Sequence, residues 1–255
     1  RKDGVNGGTA EGVCNWWLRI GRDRRSTRCP HATVSRSVVT GNKGKRRFTV
    51  SVRGLEAHSA LAPEGVNAIE YAAELIAYLK NMARRIEAEG PYDELYEITH
   101  STVHTGVISG GVQLNIVPKA CRFEFEFRYL SLDDPEALER EIRDYATQTL
   151  EPKMHAVSPE TGIDIECFND MPGLEIDAAE DVVTFVKALA GRNDHAKVAF
   201  GTEAGLFHTR ANIPTVVCGP GDIAQAHKPN EFITFEQIAK GEDFMARLLE
   251  QVSAD

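Results

Sequence analysis

A run of alternating aromatic and charged residues near the middle of the chain is the clearest strand pattern in the sequence. Phenylalanine occupies every second position of residues 123–127, so one face of a strand there is apolar and the other is charged. Similar alternation predicts half-buried strands over residues 48–53 and 163–168, and a further strand is expected over 99–108.

Two helices are predicted between these strands. Apolar residues recur three and four positions apart from Val66 onward, as in an amphipathic helix. Asp134 as an N-cap residue, followed by Pro135, predicts a second helix that runs to about Leu150. The element order from residue 47 to 168 is then β-α-β-β-α-β. This order is typical of a ferredoxin-like α/β sheet with both helices on one face.

Beyond the last of these strands the pattern changes to helices that alternate with short apolar segments. Asp177 followed by Glu180 predicts a capped helix, which Gly191 ends. Short strands are expected over 197–200 and 215–218, and the alternation of helix and strand favours a parallel sheet. About 85 residues with so few strands are too little for a complete sheet domain.

One histidine lies in a loop with clear boundaries. The strand over 215–218 ends in a Gly-Pro-Gly sequence that breaks regular structure, and His227 follows in the loop. A capping box of Thr234 and Gln237 then starts the last helix. From the pattern alone, His227 is either a surface histidine in a turn or a functional residue at a strand end.

The composition excludes several classes of protein. With 255 residues and 42% hydrophobic content, the chain can bury a real core. A net charge of −9 argues against nucleic acid or an anionic membrane as the main partner. The sequence has no apolar run of membrane-spanning length and nothing that resembles a signal peptide. Five scattered cysteines without CxxC spacing indicate no disulfide framework, and a cytoplasmic location is expected.

The first part of the chain differs in charge from the rest. Residues 1–42 hold eight Lys or Arg and three acids, a balance of +5, which leaves −14 for the remainder. Because this segment has no sustained period, a basic binding arm, a disordered linker and a misread, non-native frame all stay open. We divide the chain into an irregular basic segment (1–42), a ferredoxin-like domain (43–170) and an α/β segment (171–255).

Four segments resemble a known family. The sequences VRGLEAHSALAPEGVNAIEYAAELI, GGVQLNIVPKACRFEFEFR, KVAFGTEAGLF and VVCGPGDIAQAHKPNEFI are similar to the M20 metallopeptidases, above all to their acetylornithine deacetylase branch. The resemblance implies a zinc-peptidase catalytic α/β domain that is interrupted by a ferredoxin-like dimerisation lid. It also implies two zinc ions, with cobalt as an alternative metal, a homodimer formed through the lid, and an N-acyl amino acid as substrate.

The resemblance also implies roles for individual residues. His227 matches a zinc ligand, and imidazole is a standard zinc donor. His58 matches a catalytic lid histidine that stabilises the oxyanion in the other subunit's active site. Arg128 matches an arginine that binds the substrate carboxylate, although a surface salt bridge with Glu126 or Glu124 is the alternative.

Further positions match the substrate pocket. Asn115 corresponds to a substrate-contacting amide, with a turn-stabilising role as the alternative. Thr202 and Glu203 match the loop beside the pocket. Gly219 is expected to let the backbone approach the substrate.

The remaining metal ligands of the family have no counterpart in this sequence. It contains no His-x-Asp motif and no adjacent pair of glutamates. In the family, one glutamate of such a pair is the general base. The implied function of the complete enzyme is hydrolysis of N2-acetyl-L-ornithine to acetate and L-ornithine in arginine biosynthesis. This chain is expected to be incomplete and inactive alone. The alternatives are another M20 amidohydrolase, of the succinyl-diaminopimelate desuccinylase or glutamate carboxypeptidase type, or a non-catalytic dimerisation module.

Overall fold

The computed structural model describes residues 18–19, 27–29, 37–221 and 229–253. Its strands are β1 Leu18–Arg19, β2 Thr27–Cys29, β3 Val39–Asn42, β4 Gly44–Arg53, β5 Thr102–Gly110, β6 Ala120–Tyr129, β7 Gly162–Met171, β8 Leu174–Glu175, β9 Ala196–Val198 and β10 Thr215–Val217. Its α-helices are α1 Ala68–Glu89, α2 Pro135–Tyr145, α3 Glu151–His155, α4 Asp181–Ala190 and α5 Phe235–Ser253.

The chain divides into two compact units. The central unit consists of Lys43–Gly173 with Ala199–Gly201, and the flanking unit consists of Arg1–Asn42, Leu174–Val198 and Thr202–Asp255.

The central unit has the predicted ferredoxin-like topology. Its four strands form an antiparallel sheet in the order β5-β6-β4-β7, so the first and third strands of the β-α-β-β-α-β unit lie in the centre. The apolar side chains of β4 and β6 pack with α1, α2 and α3 in one core. The alternate residues of these two strands are polar and form the open face of the sheet.

The helices of the central unit start where the sequence predicts and differ in detail beyond that point. Asp134 accepts a hydrogen bond from the Ala137 amide as N-cap of α2, and Asn67 caps α1. In place of one helix to Leu150, α2 is followed by a π-helical turn and by the short α3. The buried side chains of α1 recur three and four positions apart, as predicted; they are Ala68, Ala72, Leu75, Leu79, Met82 and Ile86.

The sheet of the flanking unit is mixed, whereas a parallel sheet was expected. Parallel pairs join β2 to β10 and β3 to β9, and β3 pairs antiparallel with both β10 and β8. The chain leaves the unit through β3 and returns through β8, so no helical crossover forces these two strands to be parallel.

Two further expectations for the flanking unit need correction. Residues 39–42 are not irregular, because β3 is buried along its whole length. The helix predicted to start at Asp177 begins at Asp181, since the Asp177 carboxylate accepts the Ala179 amide in a turn. The end of that helix at Gly191 is confirmed, with a left-handed φ of 63°. The capping box of α5 is also confirmed, by reciprocal 3.2 Å bonds between Thr234 and Gln237.

Candidate functional site

His58 lies at the start of a 3₁₀ helix, Ser59–Glu64, with an exposed side chain. Its Nδ1 accepts a 3.1 Å hydrogen bond from the Ala60 amide. An imidazole that accepts at Nδ1 carries its proton on Nε2 in the neutral form. The local fold therefore presents an Nε2–H donor to the surroundings of the loop.

Asn115 belongs to a turn that is bound to the His58 loop. Its carbonyl accepts the Ser59 amide at 3.0 Å, and the Ala57 carbonyl accepts the Val117 amide at 2.8 Å. His58 and Ile116 also form an isolated antiparallel bridge. The Asn115 side chain is exposed. The fold thus places two predicted site residues, His58 and Asn115, side by side.

Arg128 lies near the end of β6 on the open face of the sheet. Its Nε donates to Glu126 Oε1 at 3.0 Å, and Arg47 Nε donates to the other carboxylate oxygen at 2.9 Å. Burial opposes ionisation of Glu126, but the bonds from Arg47 and Arg128 outweigh it and lower the pKa of the carboxyl group. The salt bridge weighed as an alternative role for Arg128 is therefore present. It uses Nε and leaves both Nη atoms as possible donors.

Within one copy of the chain, His58 and Arg128 lie at opposite ends of the sheet. The turn that holds His58 immediately precedes β6, whose first residue is Ala120, and Arg128 is near the end of that strand. A strand rises about 3.3 Å per residue, so the two side chains are separated by on the order of 25 Å. One small molecule cannot contact both of them within a single copy.

The loop after β9 is held by a buried threonine. The Thr202 hydroxyl donates to Asn42 Oδ1 at 2.7 Å and accepts the Ala204 amide at 3.2 Å. Its side chain is only 3% exposed, so here it fixes the backbone of the loop. Glu203 is partly exposed, and its carbonyl accepts the Leu206 amide at 3.0 Å.

Gly219 follows β10 and is buried. Gly221, two residues further on, has a φ of 118°, a conformation that side chains with a Cβ rarely adopt. His227, the predicted zinc ligand, lies outside the described residues.

Metal-ligating groups do not cluster in the described part of the chain. Over residues 37–221 and 229–253, no three His, Cys, Asp or Glu side chains come together in a way that could hold a metal ion. These residues therefore do not fit the zinc site that the sequence resemblance implies.

Sequence reasoning missed the neighbours of Arg128. Lys45 lies directly opposite Arg128, and Arg47 lies opposite Glu126. Burial lowers the pKa of Lys45, and the positive charges of Arg47 and Arg128 lower it further, while Glu126 partly offsets them. The alternation of β4 places Lys45 and Arg47 on the polar face, but only the strand register brings them to Arg128.

None of the described helices has both the length and the apolar character needed to cross a membrane.

Comparison with known proteins identifies the family of the central unit. Residues 40–154 match the peptidase dimerisation domain of the M20 family. The acetylornithine deacetylase of Myxococcus xanthus is 33% identical over 224 residues, which cover 86% of this chain and 57% of that protein. That of Aliivibrio salmonicida is 30% identical over 212 residues, 83% of this chain and 53% of that protein.

Solved structures of two peptidases have a similar fold. The aminopeptidase PepT of Bacillus cereus superposes with a TM-score of 0.67 at 24% identity, over 89% of this chain and 57% of that one. A tripeptidase of Staphylococcus aureus gives a TM-score of 0.68 at 21% identity, with the same coverage of 89% and 57%.

The chain spans a little over half the length of these relatives, 57% and 53% for the two deacetylases. The sequence matches and the ferredoxin-like sheet agree with the resemblance found in the sequence. On this evidence residues 40–154 form a peptidase dimerisation domain of the M20 type, and the chain is similar to acetylornithine deacetylases over a little more than half of their length.

Proposed function

We propose that this chain is the dimerising and substrate-binding part of a metal-dependent amidohydrolase of the acetylornithine deacetylase type. The proposed substrates are N-acyl amino acids, with N2-acetyl-L-ornithine as the specific substrate suggested by the relatives. Arg128 binds the α-carboxylate through its free Nη atoms. His58 donates Nε2–H to the oxyanion that develops on the acyl group, where a fixed donor stabilises the transition state. Asn115, which lies beside His58, contacts the substrate with its side-chain amide. The substrate-binding roles that the sequence resemblance implies for Thr202, Glu203 and Gly219 stay predictions.

The separation of His58 and Arg128 is the observation that carries this proposal. Two side chains on the order of 25 Å apart cannot serve one small substrate in one copy of the chain. A homodimer through the dimerisation domain resolves this, because each site then combines Arg128 of one copy with His58 of the other.

Sedimentation equilibrium and calorimetric titration test this arrangement. The chain is expected to sediment at twice its 28.1 kDa mass and to bind N2-acetyl-L-ornithine. Arg128→Gln should weaken that binding about tenfold or more, because a charge-assisted hydrogen bond to the carboxylate is lost. Arg140→Gln is the control, because the exposed Arg140 lies on α2, which covers the opposite face of the sheet. A monomer, or equal binding by the two variants, would contradict the proposal.

The described residues of the chain do not supply the metal ligands that the proposed enzyme needs. The described residues form no metal cluster, and His227 alone cannot hold two zinc ions, since each ion needs about four ligands. We therefore expect this chain to bind zinc below stoichiometry and not to turn over N2-acetyl-L-ornithine. Elemental analysis after dialysis, together with an ornithine-release assay, checks both. Stoichiometric zinc with turnover would refute the expectation.

A second candidate is a non-catalytic dimerisation module. It is favoured by the same lack of a metal cluster among the described residues, beside a complete ferredoxin-like sheet. The two candidates differ in ligand binding. A dimer that does not bind any N-acyl amino acid would support the module, whereas binding that depends on Arg128 supports the amidohydrolase.

A further inference from the structure

A block of charged side chains surrounds Arg128 on the open face of the central sheet. The register of β4 and β6 pairs Lys45 with Arg128 and Arg47 with Glu126. Directly opposite residues of an antiparallel pair share a face, with Cβ atoms about 5 Å apart. The flanking positions on both strands, such as Arg46 and Phe127, point to the buried face. The four side chains therefore form one contiguous group on the polar face.

This block has a surplus of positive charge. Three cations face one carboxylate, and both oxygens of Glu126 are already occupied by the Nε atoms of Arg47 and Arg128. Lys45 forms no ion pair with any residue that the structure describes. On the other side of β6, His104 lies opposite Glu126 and Thr102 opposite Arg128, so no acid is added there. The surplus is therefore left for a ligand to neutralise.

The surplus is confined to one end of the face. At the other end, Arg122 pairs with Glu124 at 2.7 Å, and Arg53 pairs with Asp164. Glu166 is exposed on the same face, opposite Thr49. Because two arginines meet three carboxylates at that end, the surplus of positive charge around Arg128 is not a general property of the sheet.

We propose that Lys45 and Arg47 form a second anion subsite beside Arg128, so that the site takes N-acyl amino acids with an additional carboxylate on the side chain. Arg128 binds the α-carboxylate, and Lys45, with the Nη atoms of Arg47, binds the side-chain carboxylate of an acidic residue such as glutamate. N2-acetyl-L-ornithine binds this site through its α-carboxylate alone and is the weaker ligand, since its side-chain ammonium group gains nothing from Lys45 and Arg47. This inference rests on the proposed function only in placing Arg128 at the ligand, and it narrows the substrate class of that site.

The test compares ligands of equal shape and different charge. Calorimetric or NMR titration of the whole chain uses N-acetyl-L-glutamate, N-acetyl-L-glutamine and N2-acetyl-L-ornithine. The glutamate compound is expected to bind about tenfold more tightly than the other two, since a charge-assisted hydrogen bond contributes about this much. Equal affinities of the glutamate and glutamine compounds would overturn the inference, as would undetectable binding of the glutamate compound.

Variants separate this inference from the proposed function. Lys45→Gln should lower the preference for glutamate over glutamine from about tenfold to less than about twofold, because it removes a cation that meets the side-chain carboxylate. Arg122→Gln, at the other end of the face, should keep the preference. If Lys45→Gln weakens both ligands equally, the subsite is refuted. If Arg128→Gln leaves all affinities unchanged, the proposed carboxylate role of Arg128 fails, whereas the charge preference can still be measured. Circular dichroism of each variant verifies that it is folded.

Discussion

The two units of this chain differ in the size of the side chains that form their described cores. In the central unit, Phe48, Phe123 and Phe127 are fully buried beneath α1, α2 and α3. In the flanking unit the described core is made largely of valine, and Phe232 and Phe235 at the start of α5 are 60% and 91% exposed. Leu248 is the one buried residue of α5 among those the structure describes.

This difference shows where the stability of each unit originates. A sheet with helices on one face and a closed aromatic core gains most of its stability from its own apolar burial. A core made largely of valine gains less per residue, because a smaller side chain removes less apolar surface from water. We therefore expect the central unit to unfold at the higher denaturant concentration, and substitutions in its core to have the larger effects.

Truncation of a core phenylalanine should have the largest effect. Phe48 is 0% exposed and stacks on Phe125 with ring centroids 4.8 Å apart. Phe48→Ala should lower the free energy of unfolding of the central unit by about 3 to 5 kcal/mol, because it removes a large buried side chain and leaves a cavity. Phe235→Ala, at an exposed position of the flanking unit, should change stability by less than about 0.5 kcal/mol. Urea denaturation followed by circular dichroism measures both. Similar costs for the two variants would remove the proposed difference between the units.

Loss of a buried cation in the central unit should have the second-largest effect. Arg46 has a side chain only 10% exposed, with Glu139 at 3.2 Å, Asp170 at 3.1 Å and Glu136 also bonded. It thereby connects β4 to α2 and β7. Arg46→Met should cost about 2 kcal/mol, below the range for fully buried pairs because the stranded carboxylates are partly solvated.

Arg53→Met is the control for this prediction. Arg53 lies on the same strand, and its side chain and that of its partner Asp164 are 54% and 65% exposed. An exposed pair contributes less than about 1 kcal/mol. If both variants lose the same stability, burial does not decide the strength of these pairs.

The sequence predicts the central unit better than the flanking unit for a physical reason. The strands of the central unit alternate polar and apolar residues. The Asp134 side chain caps α2 by accepting a hydrogen bond from an amide only three residues further on, so both signals are local. In the flanking unit, Asp177 had two local solutions, a helix cap and a turn. Packing of Val182, Val183 and Val186 into the core accompanies the later helix start, and no local signal encodes it.

In the candidate site, too, local features could be predicted and long-range ones could not. The position of Arg128 on the polar face follows from alternation within one strand. Its neighbours Lys45 and Arg47 come from a strand about 80 residues earlier, and a register shift by one residue would turn them to the other face. Register depends on pairing between distant segments, so the charged block around Arg128 could not be predicted from the sequence alone.

Helix caps provide a matched pair of substitutions with smaller effects. Asn67 Oδ1 accepts the Ile69 amide at 3.0 Å at the start of α1, and Thr234 Oγ1 accepts the Gln237 amide at 3.2 Å at the start of α5. Either residue replaced by alanine should cost its helix about 1 kcal/mol. For Asn67→Ala the cost should lower the stability of the whole central unit, because α1 packs into its core. For Thr234→Ala it should appear as faster hydrogen exchange in the first turns of α5. Protection unchanged in α5, or a global loss from Thr234→Ala, would contradict the expected difference.

The smallest expected effect concerns how the stability of the central unit depends on pH. Burial opposes ionisation of Glu126, but Arg47 and Arg128 outweigh it, so its folded pKa lies below the ordinary value of 4.5. A lowered carboxyl pKa contributes stability that is present above 4.5 and is lost as the pH falls through the folded pKa. Glu126→Gln should therefore destabilise the central unit slightly at neutral pH and reduce the loss of stability on acidification. The exposed Glu242 of α5, replaced by Gln, is the control in the flanking unit and should leave the acid dependence of the central unit unchanged. Urea midpoints measured from neutral pH to below 4.5 test this prediction. If the midpoint falls as steeply with pH in Glu126→Gln as in the parent chain, the paired carboxylate does not stabilise the fold.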